Sequence, residues 1–285
     1  MAVLKLDRWN IAIGEGLPLV VIAGLNVLED EKLAVETARN LKDICADLGL
    51  PFVFKASFDK ANRSSILSYR GPGLEKGLEI LAKVKAEVNA PICTDLHTAD
   101  QAEPVAEVAD VVQIPAFLGR QTDLVVAAAR AAHRRGGWLH QKKSQNMAPW
   151  DAKHMVDKAR EAVGGAHISV LCERGTTFGY NNLVVDMLGI EEMHKLGVPV
   201  TIDATHAVQL PGADPRTRGA STGGRREGVP ILAKAAIAAG ADGVFLEFHP
   251  DPDKALCDGP SCLPLEGAAE LLATLKKVHA AVQPA

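Results

Sequence analysis

The chain has 285 residues, 47% of them hydrophobic and 23% charged, with a net charge of −4. A chain of this length hides about three quarters of its unfolded surface, and its apolar content and low net charge exclude disorder. The slightly acidic balance excludes a nucleic-acid binder held by bulk electrostatics, so any anion must meet a local cluster of cations.

Residues 1–16 come first. Val3–Gly16 alternates weakly and breaks at Gly14-Glu15-Gly16, which predicts a short hairpin extension. Eight strands then follow: Leu19–Ala23, Phe52–Lys55, Pro91–Thr94, Val111–Ile114, Trp138–Lys142, Ile168–Cys172, Val198–Ile202 and Gly243–Phe248. Most are continuous apolar runs, the pattern of parallel strands covered on both faces. A helical pattern follows each strand: Glu31–Leu48, Leu74–Val88, Asp100–Ala109, Asp123–Ala132, Asp151–Ala162, Leu183–Lys195, Val229–Ala239 and Leu265–Val282. In the first of these, Ala34, Ala38, Leu41, Cys45 and Leu48 form one stripe, and Gly49 with Pro51 ends it. Regular alternation implies a parallel sheet. Eight units predict an α/β fold closed as a single (β/α)8 TIM barrel over residues 1–285, with the hairpin capping its bottom. An open doubly wound sheet is less favoured, because no GxGxxG follows the first strand.

The five cysteines are scattered, odd in number and without CxxC spacing, so neither a disulfide framework nor a zinc knuckle is expected. That usage fits a reducing cytoplasm. No secretory signal and no membrane span is expected, since no apolar stretch reaches 18 residues.

In a barrel of this kind the chemistry sits at the C-terminal ends of the strands. Reading each strand to its end gives Asn26, Lys55, Asp95, Gln113, Lys142, Arg174, His206, and Glu247 with His249. One polar strand end means only that strands meet solvent. Eight of eight, three of them cations, point to a site. After the second strand, Lys55, Lys60, Asn62, Arg63, Ser64 and Ser65 fall within eleven residues and suit a phosphate. A solvated basic loop would look similar, but an inward strand-borne Lys55 needs an anionic partner. Arg120, Lys142, Lys143 and Arg174 are expected in the same mouth. So many cations in a net acidic chain imply a small, multiply anionic substrate, with room for two phosphates. Asp95, His97, His206, Glu247, His249, Asp251 and Asp258 are the candidate acid/base groups. His206, Glu247 and Asp258 could also ligate a divalent metal, with Asn26 as a weak fourth donor, and spacing leaves that question open. Gln209–Gly224, rich in Gly, Pro, Arg and Ser, reads as a long functional loop or lid.

The stretch Phe54-Lys-Ala-Ser-Phe-Asp-Lys-Ala-Asn-Arg-Ser-Ser65, with Gln113-Ile-Pro-Ala-Phe-Leu118, Phe178-Gly-Tyr-Asn-Asn-Leu-Val-Val-Asp-Met187, Asp203-Ala-Thr-His206, Ser221-Thr-Gly-Gly-Arg-Arg226 and Cys257-Asp-Gly-Pro260, resembles the 3-deoxy-D-manno-octulosonate 8-phosphate synthases. The resemblance spans nearly the whole chain. It implies a homotetrameric barrel that condenses phosphoenolpyruvate with D-arabinose 5-phosphate, releasing phosphate, in the synthesis of the acid sugar of lipopolysaccharide. It implies that Lys55, Lys60, Gln113, Lys142 and Arg174, helped by Arg120, hold phosphoenolpyruvate, and that Asn62, Arg63 and Ser64 hold the sugar phosphate. Asp95 and Glu247 join the substrate-binding set. Asn26, Lys60, His206 and Asp258 are the expected catalytic groups. Metal-dependent members of the family carry Cys where this chain has Asn26, so the metal-independent class, with no cofactor, is expected. Two features depart from that class or the family: Ser144 stands where Pro is usual, and the 208–218 segment is more similar to metal-dependent members. The related 3-deoxy-D-arabino-heptulosonate 7-phosphate synthases resemble Lys-Pro-Arg-Thr at the phosphate loop, unlike Lys60-Ala-Asn-Arg-Ser-Ser65 here. An inactive phosphosugar-binding barrel would not need His206, Glu247 and Asp258 together.

Overall fold

A computed structural model describes residues 2–214 and 222–283. In chain order its strands are β1 (Leu4–Leu6), β2 (Ile11–Ile13), β3 (Val20–Val27), β4 (Phe52–Ser57), β5 (Ile92–Asp95), β6 (Val111–Ile114), β7 (Trp138–Lys142), β8 (Ser169–Glu173), β9 (Thr176–Thr177), β10 (Leu183–Val184), β11 (Val200–Asp203), β12 (Gln209–Leu210), β13 (Gly223–Gly224), β14 (Gly243–His249) and β15 (Leu263–Pro264). Strands β3, β4, β5, β6, β7, β8, β11 and β14 pair in parallel in that order, and β14 pairs back onto β3. The sheet is therefore a closed eight-stranded parallel barrel, and helices alternate with its strands.

Alternation along each strand divides the apolar residues into two sets. Val21, Ala23, Phe54, Val112, Ile114 and Leu139 face outward and pack with the helices. Val20, Ile22, Val53, Cys93, Val111, Trp138, Val170 and Phe245 face inward and fill the lower barrel. Leu4, Leu6, Ile11 and Ile13 join this inner set, so the antiparallel β1–β2 hairpin is packed against the barrel interior. Trp9, between the two strands, donates its indole N–H to Asp110 at 2.8 Å. Asp110 also accepts from Lys85 and from the backbone N–H of Ile92, which ties the hairpin to the start of β5.

The helix Glu31–Leu48 starts at Asp30, whose carboxylate accepts from the Leu33 N–H at 2.9 Å, and stops at Gly49 in the left-handed region. Gly24 on β3 is required by close approach: a Cβ there would lie 2.0 Å from the Lys55 carbonyl oxygen. The β3–β4 register shifts between Gly24 and Val27, beside Asn26.

Some expected helices start differently. The apolar run at Leu183 is not the start of a helix. Leu183–Val184 pairs with Thr176–Thr177 as a small hairpin, and the helix begins at Leu188. The segment Asp100–Ala109 is a 3-10 turn, Ala99–Gln101, followed by a helix over Ala102–Val108. The expected lid is flanked by the β12–β13 pair, and its residues 215–221 lie outside the described residues. Among the described residues, no helix is long and apolar enough to cross a membrane.

Candidate active site

The inward positions above the apolar plug are polar. Lys142 and Asp203 end β7 and β11, Gln113 and Asp95 lie at the ends of β6 and β5, and Asn26, Lys55 and Glu247 sit on β3, β4 and β14. All seven are buried. Above them lies a cavity of about 280 Å³. Four cations line it, Lys60, Arg63, Lys142 and Arg174, together with Asn62, Ser64, Asp95, His97, Gln113, His206 and Asp258.

The charges beside and below the cavity are interleaved. Lys55 Nζ lies 2.8 Å from Glu247 Oε1 and 3.1 Å from the Asn26 carbonyl oxygen. Lys142 Nζ lies 2.6 Å from Asp203 Oδ2 and 3.8 Å from the centre of the Phe245 ring. Burial would raise the Glu247 pKa, but His206, Lys55, Lys60 and Lys142 overcome it and hold the carboxyl well below its ordinary range. Asp203 and Asp95 are held low in the same way, against burial, chiefly by His206 and Lys142 in one case and by His97 and Lys60 in the other. Burial would lower Lys60, yet Glu247 and Asp95 win and raise it, so its ammonium stays charged.

His206 is oriented by Asp203, which takes its Nδ1 at 2.8 Å and its backbone N–H at 2.9 Å. Its Nε2 points to Glu247 Oε2 at 3.5 Å and Asp258 Oδ2 at 3.8 Å. Asn26 faces the same two carboxylates: Nδ2 donates to Glu247 Oε2 and lies 3.3 Å from Asp258 Oδ2. Two carboxylates select this rotamer, because the amide oxygen in that place would face like charge. Asp258 itself sits at a φ of 50° and accepts from Gln209 Nε2 at 2.8 Å. Among the described residues, no three His, Cys, Asp or Glu side chains converge to hold a metal ion. Asn26 directs N–H groups, not a lone pair, into the space between Glu247 and Asp258.

Arg63 donates from Nη1 to the Cys257 sulfur and lies 4.0 Å from Asp258 Oδ1. Arg174 donates to Gln209 Oε1 at 3.3 Å, and its buried Nη1 has no hydrogen-bond partner among the described residues. A buried guanidinium nitrogen left in this way is placed for an anion.

Several expected residues do not reach the cavity. Arg120 is exposed on the turn after β6, where its carbonyl accepts from Lys158. Lys143 follows the inward Lys142 and so points outward, where it is buried against Glu173 and the Met147 carbonyl. His249 turns to Glu29, with its Nε2 3.5 Å away, and Asp251 pairs with Lys254 on the surface. Conversely, Asp203 and Gln209 were not expected as site residues. Asp203 ends β11 three residues before His206, a spacing that could have marked it as the orienting carboxylate. Gln209 carried no such signal.

Comparison with known proteins agrees over the full chain. The model of the DAHP synthetase I family matches residues 2–284. A protein of Desulfotalea psychrophila named 2-dehydro-3-deoxyphosphooctonate aldolase is 51% identical over 283 residues, 99% of this chain and 98% of the relative. Proteins of the same name from Aromatoleum aromaticum and Marinobacter nauticus are 53% and 52% identical, covering 93% and 98% of this chain and 92% and 95% of theirs.

Proposed function

We propose that this chain, which belongs to the DAHP synthetase I family, is a transferase that condenses phosphoenolpyruvate with D-arabinose 5-phosphate and water. The products are 3-deoxy-D-manno-octulosonate 8-phosphate and inorganic phosphate. The observation that carries this reading is one cavity lined by Lys60, Arg63, Lys142 and Arg174 around His206 and Asp258, enough cation for two phosphorylated substrates beside groups able to move a proton.

In the reaction, the methylene carbon of phosphoenolpyruvate forms a bond to the sugar aldehyde carbon, and the aldehyde oxygen takes up a proton. Water adds to the neighbouring carbon of phosphoenolpyruvate and gives up a proton. The resulting hemiketal phosphate then loses phosphate. Lys142, Arg174, Gln113 and Lys60 hold phosphoenolpyruvate, and Asn62, Arg63 and Ser64 hold the sugar phosphate. Fixing two anions face to face supplies much of the catalysis, since good orientation is worth up to about 7–11 kcal/mol. Lys60 stays protonated, so it polarises the aldehyde and does not shuttle a proton. Asp203 takes Nδ1 of His206 and leaves Nε2 facing Glu247 and Asp258, placed to move a proton at the reacting carbons. Lys55 and Glu247 set the charge below them, and Asp95 faces the cavity from β5.

The reaction runs without a metal in this reading. Asn26 supports it, because its amide bridges Glu247 and Asp258 with hydrogen bonds. A cytoplasmic homotetramer is part of the same proposal. Exposed Phe117, Trp150, Phe178, Tyr180 and Leu188 supply apolar surface that further copies would cover, and a single-chain mass in sedimentation would exclude that assembly. The function is tested by the mass of the product. The eight-carbon acid phosphate is expected from arabinose 5-phosphate. Turnover of erythrose 4-phosphate alone, giving the seven-carbon product, would contradict it.

A further inference from the structure

Below the cavity, the barrel interior holds a histidine that the reaction as described does not use. His140 is fully buried on β7, between the inward Trp138 and Lys142. Its Nδ1 lies 3.1 Å from Gln113 Oε1, and its Nε2 lies 2.9 Å from Thr201 Oγ1. The ring stacks on Phe245, with centroids 5.9 Å apart and planes 11° from parallel. Burial, and then the neighbouring Lys142, push its pKa down to about 3, so the imidazole is neutral at physiological pH.

A neutral imidazole has one N–H and one lone pair, and its neighbours decide which nitrogen carries which. The Thr201 hydroxyl has two acceptors in reach, His140 Nε2 at 2.9 Å and the Leu171 carbonyl at 3.2 Å. Gln113 Oε1 can only accept, so the ring proton belongs on Nδ1 and the Thr201 hydroxyl meets the lone pair of Nε2. With its oxygen held from below, Gln113 has its NH2 group left for the cavity that it lines. The opposite tautomer would make Nδ1 an acceptor, draw the Gln113 NH2 down to it, and present a carbonyl oxygen to an anionic substrate.

We propose that His140, held as the Nδ1–H tautomer by the Thr201 hydroxyl, is a positioning residue that turns the Gln113 amide N–H groups toward the anionic groups of phosphoenolpyruvate. The identity of that anion rests on the function proposed above; the tautomer does not.

The test has two arms. In protein labelled with 15N at histidine and free of substrate, long-range 1H–15N correlation is expected to show a protonated Nδ1 and an unprotonated Nε2 for His140. Thr201→Val, which removes the selecting hydroxyl at nearly constant volume, is expected to raise KM for phosphoenolpyruvate about three- to tenfold, the worth of one neutral hydrogen bond. KM for arabinose 5-phosphate should stay within about twofold and kcat should change less than KM. A protonated Nε2 in the unmodified protein overturns the inference, as does a KM for phosphoenolpyruvate that does not rise selectively. If the unmodified protein does not consume phosphoenolpyruvate at all, the functional reading fails instead, whatever the tautomer.

Discussion

Arg63 stands on a loop whose other polar residues, Asn62 and Ser64, line the same cavity, and its anchors are Cys257 and Asp258. Replacing it with Ala removes a charged hydrogen-bond donor worth about 1.5–3 kcal/mol. Steady-state kinetics of Arg63→Ala should therefore show KM for arabinose 5-phosphate raised on the order of ten- to a hundredfold, and an unchanged KM would remove Arg63 from the sugar-phosphate site. Asn26 offers a different test. Its Nδ2 lies between Glu247 and Asp258, both within 4 Å of His206 Nε2. Asn26→Cys would place a thiolate with His206, Glu247 and Asp258, a set suited to zinc or iron. Elemental analysis should find about one transition metal per chain in this variant; none would mean that the four side chains cannot converge. At this scale the sequence was informative where a residue ends an inward-facing strand position, as with Lys142 and Gln113. It was misleading one residue later, because Lys143 has the opposite face of the same strand. Arg120 lies outside the cavity of the single chain, because a turn, unlike a strand, sets no direction for its side chain.

The barrel strands were legible because each is a short apolar run bounded by turn residues, and β6 and β7 fall where the pattern puts them. Ends were less legible. β3 continues through Asn26 to Val27, since polar inward residues at the strand tops do not look like strand in a pattern of apolar runs. Leu183–Val184 resembled a helix start because two apolar residues carry no periodicity, and its pairing with Thr176–Thr177 is a tertiary choice. The N-terminal hairpin depends on one polar joint. Asp110 accepts from Trp9, Lys85 and Ile92, and its side chain is only 13% exposed. Asp110→Ala leaves the Lys85 ammonium without its carboxylate and should cost about 2–4 kcal/mol. Chemical denaturation should show that loss with both KM values unchanged, because the joint lies at the opposite end of the strands from the cavity. A variant as stable as the unmodified protein would mean that the hairpin is held by its apolar contacts alone.

Across the whole molecule, the buried ionisable groups make stability fall with acid. His140 is neutral in the folded state down to about pH 3, whereas in the unfolded chain it takes a proton near pH 6.5. Between those values the unfolded state binds more protons, so unfolding free energy declines as pH falls, by about 1.4 kcal/mol per pH unit for this one group near pH 5. Glu247, Asp95 and Asp203 have the same sign: their folded pKa values are depressed, so the stability they add is present above about pH 4.5 and is lost as pH falls through those values. Urea unfolding of His140→Gln between pH 6.5 and 5 should show a slope shallower by about one proton; an unaltered slope would mean that His140 protonates freely in the native barrel.

The central proposal is a condensation of two phosphorylated substrates at the strand tops that needs no metal, with the Asn26 amide between Glu247 and Asp258 as its support. Phosphate release from phosphoenolpyruvate and arabinose 5-phosphate, followed after exhaustive treatment with a strong chelator, tests it most directly. The account predicts full activity that manganese or zinc does not increase, with phosphate released only when both substrates are present. Loss of activity on chelation, restored by either metal, would contradict it.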